Sequence, residues 1–207
     1  MKKLLRSVLS LIFVVGVILA VWPLGQKTYG WWSQRSLQAQ WQQTVEQETH
    51  QPKPLQKKSE AVALQTSQAL TPPRAAPAKW PSTQLLIPDI GLDAIVVQGV
   101  TDEPLRRGPG HVPDSSLPGA GNCVISAHRN VYGSWFARLN ELTPGALIQL
   151  KTPGQSYNYR MLYAEVVNDT DLSVLQPPSP GSAPHLTLLT CTIPHSPQRI
   201  AVIAEKE

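Results

Sequence analysis

Leu186-Thr187-Leu188-Leu189-Thr190-Cys191, followed beyond Thr192-Ile193-Pro194 by Arg199-Ile200-Ala201-Val202-Ile203-Ala204, is the stretch that decides the fold. Each run is short, apolar and bounded by turn residues, and together they read as two strands joined by a loop. The same pattern repeats upstream. Gln84 to Ile87 and Ile90 to Val97 are short apolar runs separated by Pro88, and Asn122 to Ser126 follows the turn Gly119-Ala120-Gly121. Ala146 to Lys151 and Tyr157 to Val167 come next, the latter with Tyr157, Tyr159, Met161 and Tyr163 on one parity. Ser134 to Leu142, ended by Pro144-Gly145, is the one good helix candidate of this region. Of the chain's 20 prolines most follow residue 82, which excludes an all-α bundle. The expectation is an all-β fold, a closed or nearly closed β-barrel of seven or eight strands with one or two short helices. A region of about 125 residues buries an adequate core without disulfides.

Outside this region the composition changes. Lys2, Lys3 and Arg6 precede an apolar run from Ser7 to Trp22, close to the roughly 20 residues needed to span a bilayer. Leu19-Ala20-Val21-Trp22-Pro23 lacks a small-x-small cleavage site, which favours an uncleaved anchor over a signal peptide. The basic cluster before the run, with Trp22, Tyr29, Trp31 and Trp32 after it, puts the N-terminus in the cytoplasm and the rest outside. Three segments follow: 1–25 a membrane anchor, 26–82 a stalk and Pro/Gln-rich linker, 83–207 the β-barrel. The middle segment, with few branched aliphatics, reads as unable to build a core. A short stalk helix is expected to begin near Ser33, and Gln51 to Pro54 with Thr71 to Pro73 to form an extended linker giving reach. The net charge of +4 is unevenly spread, the excess of basic residues lying before residue 83. The barrel itself is mildly acidic, which argues against nucleic acid as a partner.

Cys191 ends its strand run where a barrel presents side chains to a cleft; the competing reading is a buried strand thiol. Arg199 opens the next run, and antiparallel pairing of the two would return it beside Cys191, where a guanidinium favours a thiolate and donates hydrogen bonds to an oxyanion. His128, in Ser126-Ala127-His128-Arg129-Asn130, also follows an apolar strand; its imidazole suits protonation of a departing amine. His111, His185 and His195 are competitors, and His128 is preferred because a strand end holds a catalytic group better than the loop bearing His195.

These residues resemble the sortases, membrane-anchored cysteine transpeptidases. Leu186 to Cys191 is similar to the family's TLxTC signature, Ser126 to Arg129 to its histidine motif, and Arg199 to the arginine opening its final strand. Leu86 to Asp93 resembles the first-strand motif, while Arg107 to His111 and Leu117 to Gly119 resemble the stretch before the histidine strand, in the style of classes D and E. The resemblance implies an eight-stranded sortase barrel. It also implies attack by Cys191 on the Thr–Gly (or Thr–Ala) amide of an LPxTG-like signal on a secreted protein, and acyl transfer to an amine of the cell envelope or a pilin. His128 then protonates the leaving amine and Arg199 serves the oxyanion or substrate backbone.

Thr190 either adds a hydroxyl to the oxyanion environment or packs and caps its strand. Leu172, Val174 and Leu175, in the loop that lines the signal groove of sortases, either contact the substrate or tuck under the barrel. Asp169 and Asp171 are too few for a calcium site, so no metal and no cofactor are expected. Cys123 lies roughly 16 Å along its strand from His128 at about 3.3 Å per residue, too far to pair with Cys191, and reads as a core thiol. A thiol hydrolase of the same signal, and a non-catalytic tethered barrel that binds partners, are the alternative functions.

Overall fold

The computed structural model describes residues 2–50, 80–193 and 196–207. The expected extended linker, at Gln51 to Pro54 and Thr71 to Pro73, and His195 lie outside them. Eight strands form a closed barrel: β1 (Thr83–Ile87), β2 (Leu92–Gln98), β3 (Gly110–His111), β4 (Asn122–Ser126), β5 (Leu147–Thr152), β6 (Gln155–Asn168), β7 (His185–Cys191) and β8 (Gln198–Lys206). Their order around the barrel is β1-β2-β3-β4-β7-β8-β6-β5, and β5 closes on β1. Two neighbouring pairs, β2 with β3 and β4 with β7, are parallel; the others are antiparallel.

Alternation sorts the side chains into two faces. Cys123 and Ile125 of β4, Leu186 and Leu188 of β7, and Ile200, Val202 and Ala204 of β8 point inward with Leu85, Ile87, Ile148, Leu150 and Tyr159. Thr187, Leu189 and Cys191 of β7 therefore face outward, as do their cross-strand partners Ile203, Ala201 and Arg199. In β6 the expected single parity breaks. A register shift between Met161 and Tyr163 leaves Tyr159 and Met161 in the core and turns Tyr163 out to solvent.

The expected helix at Ser134 to Leu142 is replaced by turns and one 3-10 turn, Leu139–Glu141. Tyr132 and Ser134 have positive φ, and Phe136, Leu139 and Leu142 are buried at three-residue intervals, the repeat of a 3-10 rather than an α-helix. A short helix that the sequence reading missed, α2 (Asp102–Arg107), links β2 to β3 and accommodates Pro104 in its first turn.

A single helix, α1, runs from Lys2 to His50, without a break between an anchor and a stalk. Leu11, Ile12, Phe13, Val14, Val15, Val17, Ile18 and Val21 are exposed along it. Among the described residues no helix is long and apolar enough to cross a membrane; the run from Ser7 to Trp22 includes side chains outside the described ones. The stalk part of α1 does have a packing face, contrary to expectation: Gly30, Ser33, Gln34 and Trp41 are buried. They share one helical stripe. Composition hid this because Gly, Ser and Gln seat a helix by close approach and hydrogen bonds, not by aliphatic bulk.

Candidate active site

Strand register brings the three expected catalytic positions to one place. Cys191, half-buried, pairs directly with Arg199 across β7 and β8, so both side chains leave the same face of the sheet. On the other side of β7, β4 runs parallel with Ser126 beside Leu189. The pairing continues past the end of β4, where the Ala127 N–H donates to the Leu189 carbonyl at 3.1 Å. Carried one residue further, the register sets His128 level with Cys191. The nucleophile candidate thus sits on the middle of three adjacent strands, with Arg199 opposite it on β8 and His128 just past the end of β4. The site lies on the outer wall at the strand ends, not inside the barrel mouth.

The imidazole of His128 is partly withdrawn from solvent, and burial pushes its pKa below the usual histidine value; Asp102 opposes and Arg106 reinforces the shift. Burial thus favours the uncharged ring. Its Nε2 is buried and has no hydrogen-bond partner among the described residues, a polar atom left for a reacting group. The competitor His111 is structural: it stacks on Trp80 with ring centroids 3.9 Å apart, and its Nε2 lies 3.1 Å from the Ser116 carbonyl and 2.9 Å from Ser115 Oγ. His185 opens β7, at the end of the strand away from Cys191.

Arg199 is held by its surroundings. Its Nη1 donates to the carbonyls of Ser196 at 2.7 Å and Gln198 at 3.1 Å, and its Nη2 lies 3.5 Å from Asp169 Oδ2. The Asp169 N–H in turn donates to the Pro197 carbonyl at 2.6 Å, tying the β6–β7 loop to the β7–β8 loop. Sequence reasoning weighed Asp169 only as a cation ligand and missed it as the partner of Arg199. Asp171 is also engaged, its Oδ1 accepting the Ser173 N–H at 2.9 Å. Among the described residues no group of three or more His, Cys, Asp or Glu could hold a metal ion. A second missed residue is Arg129, which ties the β4–β5 connection to the start of the β7–β8 loop by donating to the Thr192 carbonyl at 2.5 Å, and donates to Asn140 Oδ1 at 2.8 Å within that connection.

Thr190 faces the opposite way from Cys191. It is buried, and its hydroxyl donates to the Ala127 carbonyl at 2.9 Å, so the reading of it as an oxyanion group gives way to that of a strand-end hydrogen bond. Thr190→Val should cost about 1–3 kcal/mol of stability, because a buried carbonyl loses its donor, and urea unfolding measures it. An unchanged midpoint would show that the bond contributes nothing net.

The β6–β7 loop is seated on the outer wall below Cys191. Val174 is only 9% exposed and packs on Ala201 and Ile203, with Leu175 and Leu189 beside it. Asn122 fastens the loop by donating its side-chain N–H groups to the carbonyls of Val174 at 2.9 Å and Gln176 at 3.0 Å. Of the three candidate substrate contacts, Val174 is buried and Leu175 partly buried against this wall, while Leu172 is 61% exposed. Cys123 is fully buried and free, its thiol pushed up to about 12 by burial, and it pairs with Leu186 at the far end of β7 from Cys191.

A family model described as a sortase domain matches residues 85–207. The chain belongs to the sortase family. Sortase A of Streptococcus agalactiae is 27% identical over 129 residues, covering 59% of this chain and 51% of that protein. Sortase D of Bacillus subtilis is 30% identical over 92 residues, covering 44% and 45%. Sortase SrtE1 of Streptomyces coelicolor is 30% identical over 122 residues, covering 52% and 35%. The chain therefore spans about half or less of the length of these relatives. Among solved structures, the Clostridium perfringens Sortase D5 transpeptidase superposes with a TM-score of 0.56 at 25% identity, covering 61% of this chain and 79% of that one. The matched region is the barrel, so Cys191, His128 and Arg199 all lie within the sortase domain.

Proposed function

We propose that this sortase-family chain is a cysteine transpeptidase that cleaves an LPxTG-like signal at its Thr–Gly or Thr–Ala bond and transfers the acyl group to an amine. The observation that supports this is the direct pairing of Cys191 with Arg199, with His128 following just past the end of β4, the strand on the other side of β7. The Cys191 thiol attacks the threonine carbonyl carbon, forming the S–C bond as its proton passes to the uncharged His128 Nε2. The resulting oxyanion accepts hydrogen bonds from Arg199. As the C–N bond breaks, the His128 imidazolium returns that proton to the leaving amine, which leaves a thioester. An acceptor amine then attacks the thioester and gives a proton to His128, and as the S–C bond breaks His128 passes that proton to the departing sulfur, so that Cys191 leaves as the thiol and the imidazole is again uncharged.

The substrate is a secreted protein bearing the signal near its C-terminus, and the acceptor an amine of the cell envelope or a pilin. The exposed apolar side chains from Leu11 to Val21 and the preceding basic residues support α1 as a single-pass anchor in the cytoplasmic membrane, with the N-terminus inside and the barrel outside. Incubation with LPxTG-, LAxTG- and LPxTA-type peptides, with and without candidate amines, tests the reading. A Cys191 acyl adduct by intact mass and an amine-dependent new amide are expected. Cleavage without joining would make the chain a thiol hydrolase, and absence of any adduct would leave it a non-catalytic barrel.

A further inference from the structure

We propose that Gly30 and Gln34 of α1 are positioning residues for His128, so that the helix next to the membrane is part of the catalytic scaffold. Gln34 is 3% exposed, and its amide fills a gap in the barrel wall. Its Oε1 accepts the Ile95 N–H at 2.8 Å, and its Nε2 donates to the carbonyls of Ile95 and Arg107, each at 2.9 Å. β2 and β3 pair only at Val97 with Gly110 and Gln98 with His111, so the amide supplies at Ile95 the hydrogen bonds that a neighbouring strand would otherwise give. Gly108 makes room for it: a Cβ there would lie 2.2 Å from Gln34 Nε2.

One turn earlier on the same face, Gly30 lies against the loop that carries His128. A Cβ on Gly30 would stand 2.7 Å from the Tyr132 carbonyl oxygen and 3.0 Å from the Gly133 nitrogen, so no other residue permits this approach. Tyr132 and Ser134 hold φ of 47° and 52°, a conformation that costs of order 1 kcal/mol or more per non-glycine residue and persists only where the surroundings enforce it. The Tyr132 ring lies 5.5 Å from that of His128, and the guanidinium of Arg106 sits 5.2 Å from the Tyr132 ring. Two routes thus run from α1 to the imidazole. Gly30 bears on the Tyr132 backbone directly. Gln34 holds the carbonyl of Arg107, and with it the end of α2 that carries Arg106. Asp102 of α2 is the further charged group facing His128.

The inference rests on the role given to His128 above, and its test separates the two. In the full-length chain, single-turnover acylation of Cys191 by a sorting-signal peptide is measured for Gln34→Ala and Gly30→Leu, together with the titration of the His128 imidazole by NMR. Release of the loop should lower the maximal acylation rate by about ten-fold or more, with half-saturating peptide concentration changed by less than about two-fold, as expected for misplacement of a catalytic group. The His128 midpoint should rise toward the ordinary value of about 6.5 as the ring gains water. Gln42→Leu, at an exposed position of the same helix, should change neither. Should Gly30→Leu fail to fold, Gln34→Ala decides. A wild-type rate and a wild-type His128 midpoint in folded Gln34→Ala would overturn the proposal. If instead His128→Ala acylates at the wild-type rate, the catalytic reading falls, while the His128 midpoint in Gln34→Ala still reports whether α1 holds the ring.

Discussion

Cys191→Ala should abolish thioester formation and reduce turnover by on the order of 10³-fold or more, since no other group at the site replaces the nucleophile. The other cysteine provides no background: Cys123 is fully buried and its thiol pushed up to about 12. A sorting-signal peptide mixed with the wild-type chain should therefore yield a single acyl adduct by intact mass, and with the variant none. The substitution should be nearly silent in stability, because Cys191 is half-buried on the outer face and the core beneath it is built from Leu186, Leu188 and Val202. An adduct surviving in Cys191→Ala would move the nucleophile elsewhere and remove the basis of the mechanism.

His128→Ala should slow acylation by about 10²–10⁴-fold, the range for loss of a positioned acid–base group, and should also erase one limb of the pH profile. The sign follows from burial. The imidazole must be uncharged to take the thiol proton, and burial favours that form, so the acylation rate should rise with pH up to a midpoint below the ordinary histidine value of about 6.5 and level off above it. Below the midpoint the ring is already protonated and cannot accept. A rate that keeps the same low-pH limb in His128→Ala would assign that limb to another group.

How far the sequence foretold this molecule depends on what kind of interaction made each element. The apolar runs at 186–191 and 199–204 announced β7 and β8 because alternation and length are local properties, and their pairing then put Cys191 opposite Arg199. β3 escaped notice because two residues carry no period, and α2 because six residues with a proline look like loop. The turns around Phe136 replaced an expected α-helix because three side chains are drawn into the core at a spacing that propensity does not report. Tyr163 was misplaced by a bulge, which shifts parity without leaving a mark in composition. Within the site, the positions of the nucleophile, acid–base and guanidinium candidates were legible as strand ends. Their partners were not: Asp169 reaches Arg199 from 30 positions away in the chain, and the inward turn of Thr190 depends on which face the barrel closes on.

The unbroken course of α1 sets a distance. From Val21 to Gly30 the helix rises about 14 Å at about 1.5 Å per residue, and at Gly30 it already touches the loop beside His128. If the proposed anchor sets Val21 in a bilayer, Cys191 would work at a set altitude just above the lipid headgroups. Polypeptides still emerging from that surface would meet it by lateral diffusion, and peptides tethered farther out would have to fold back to be served.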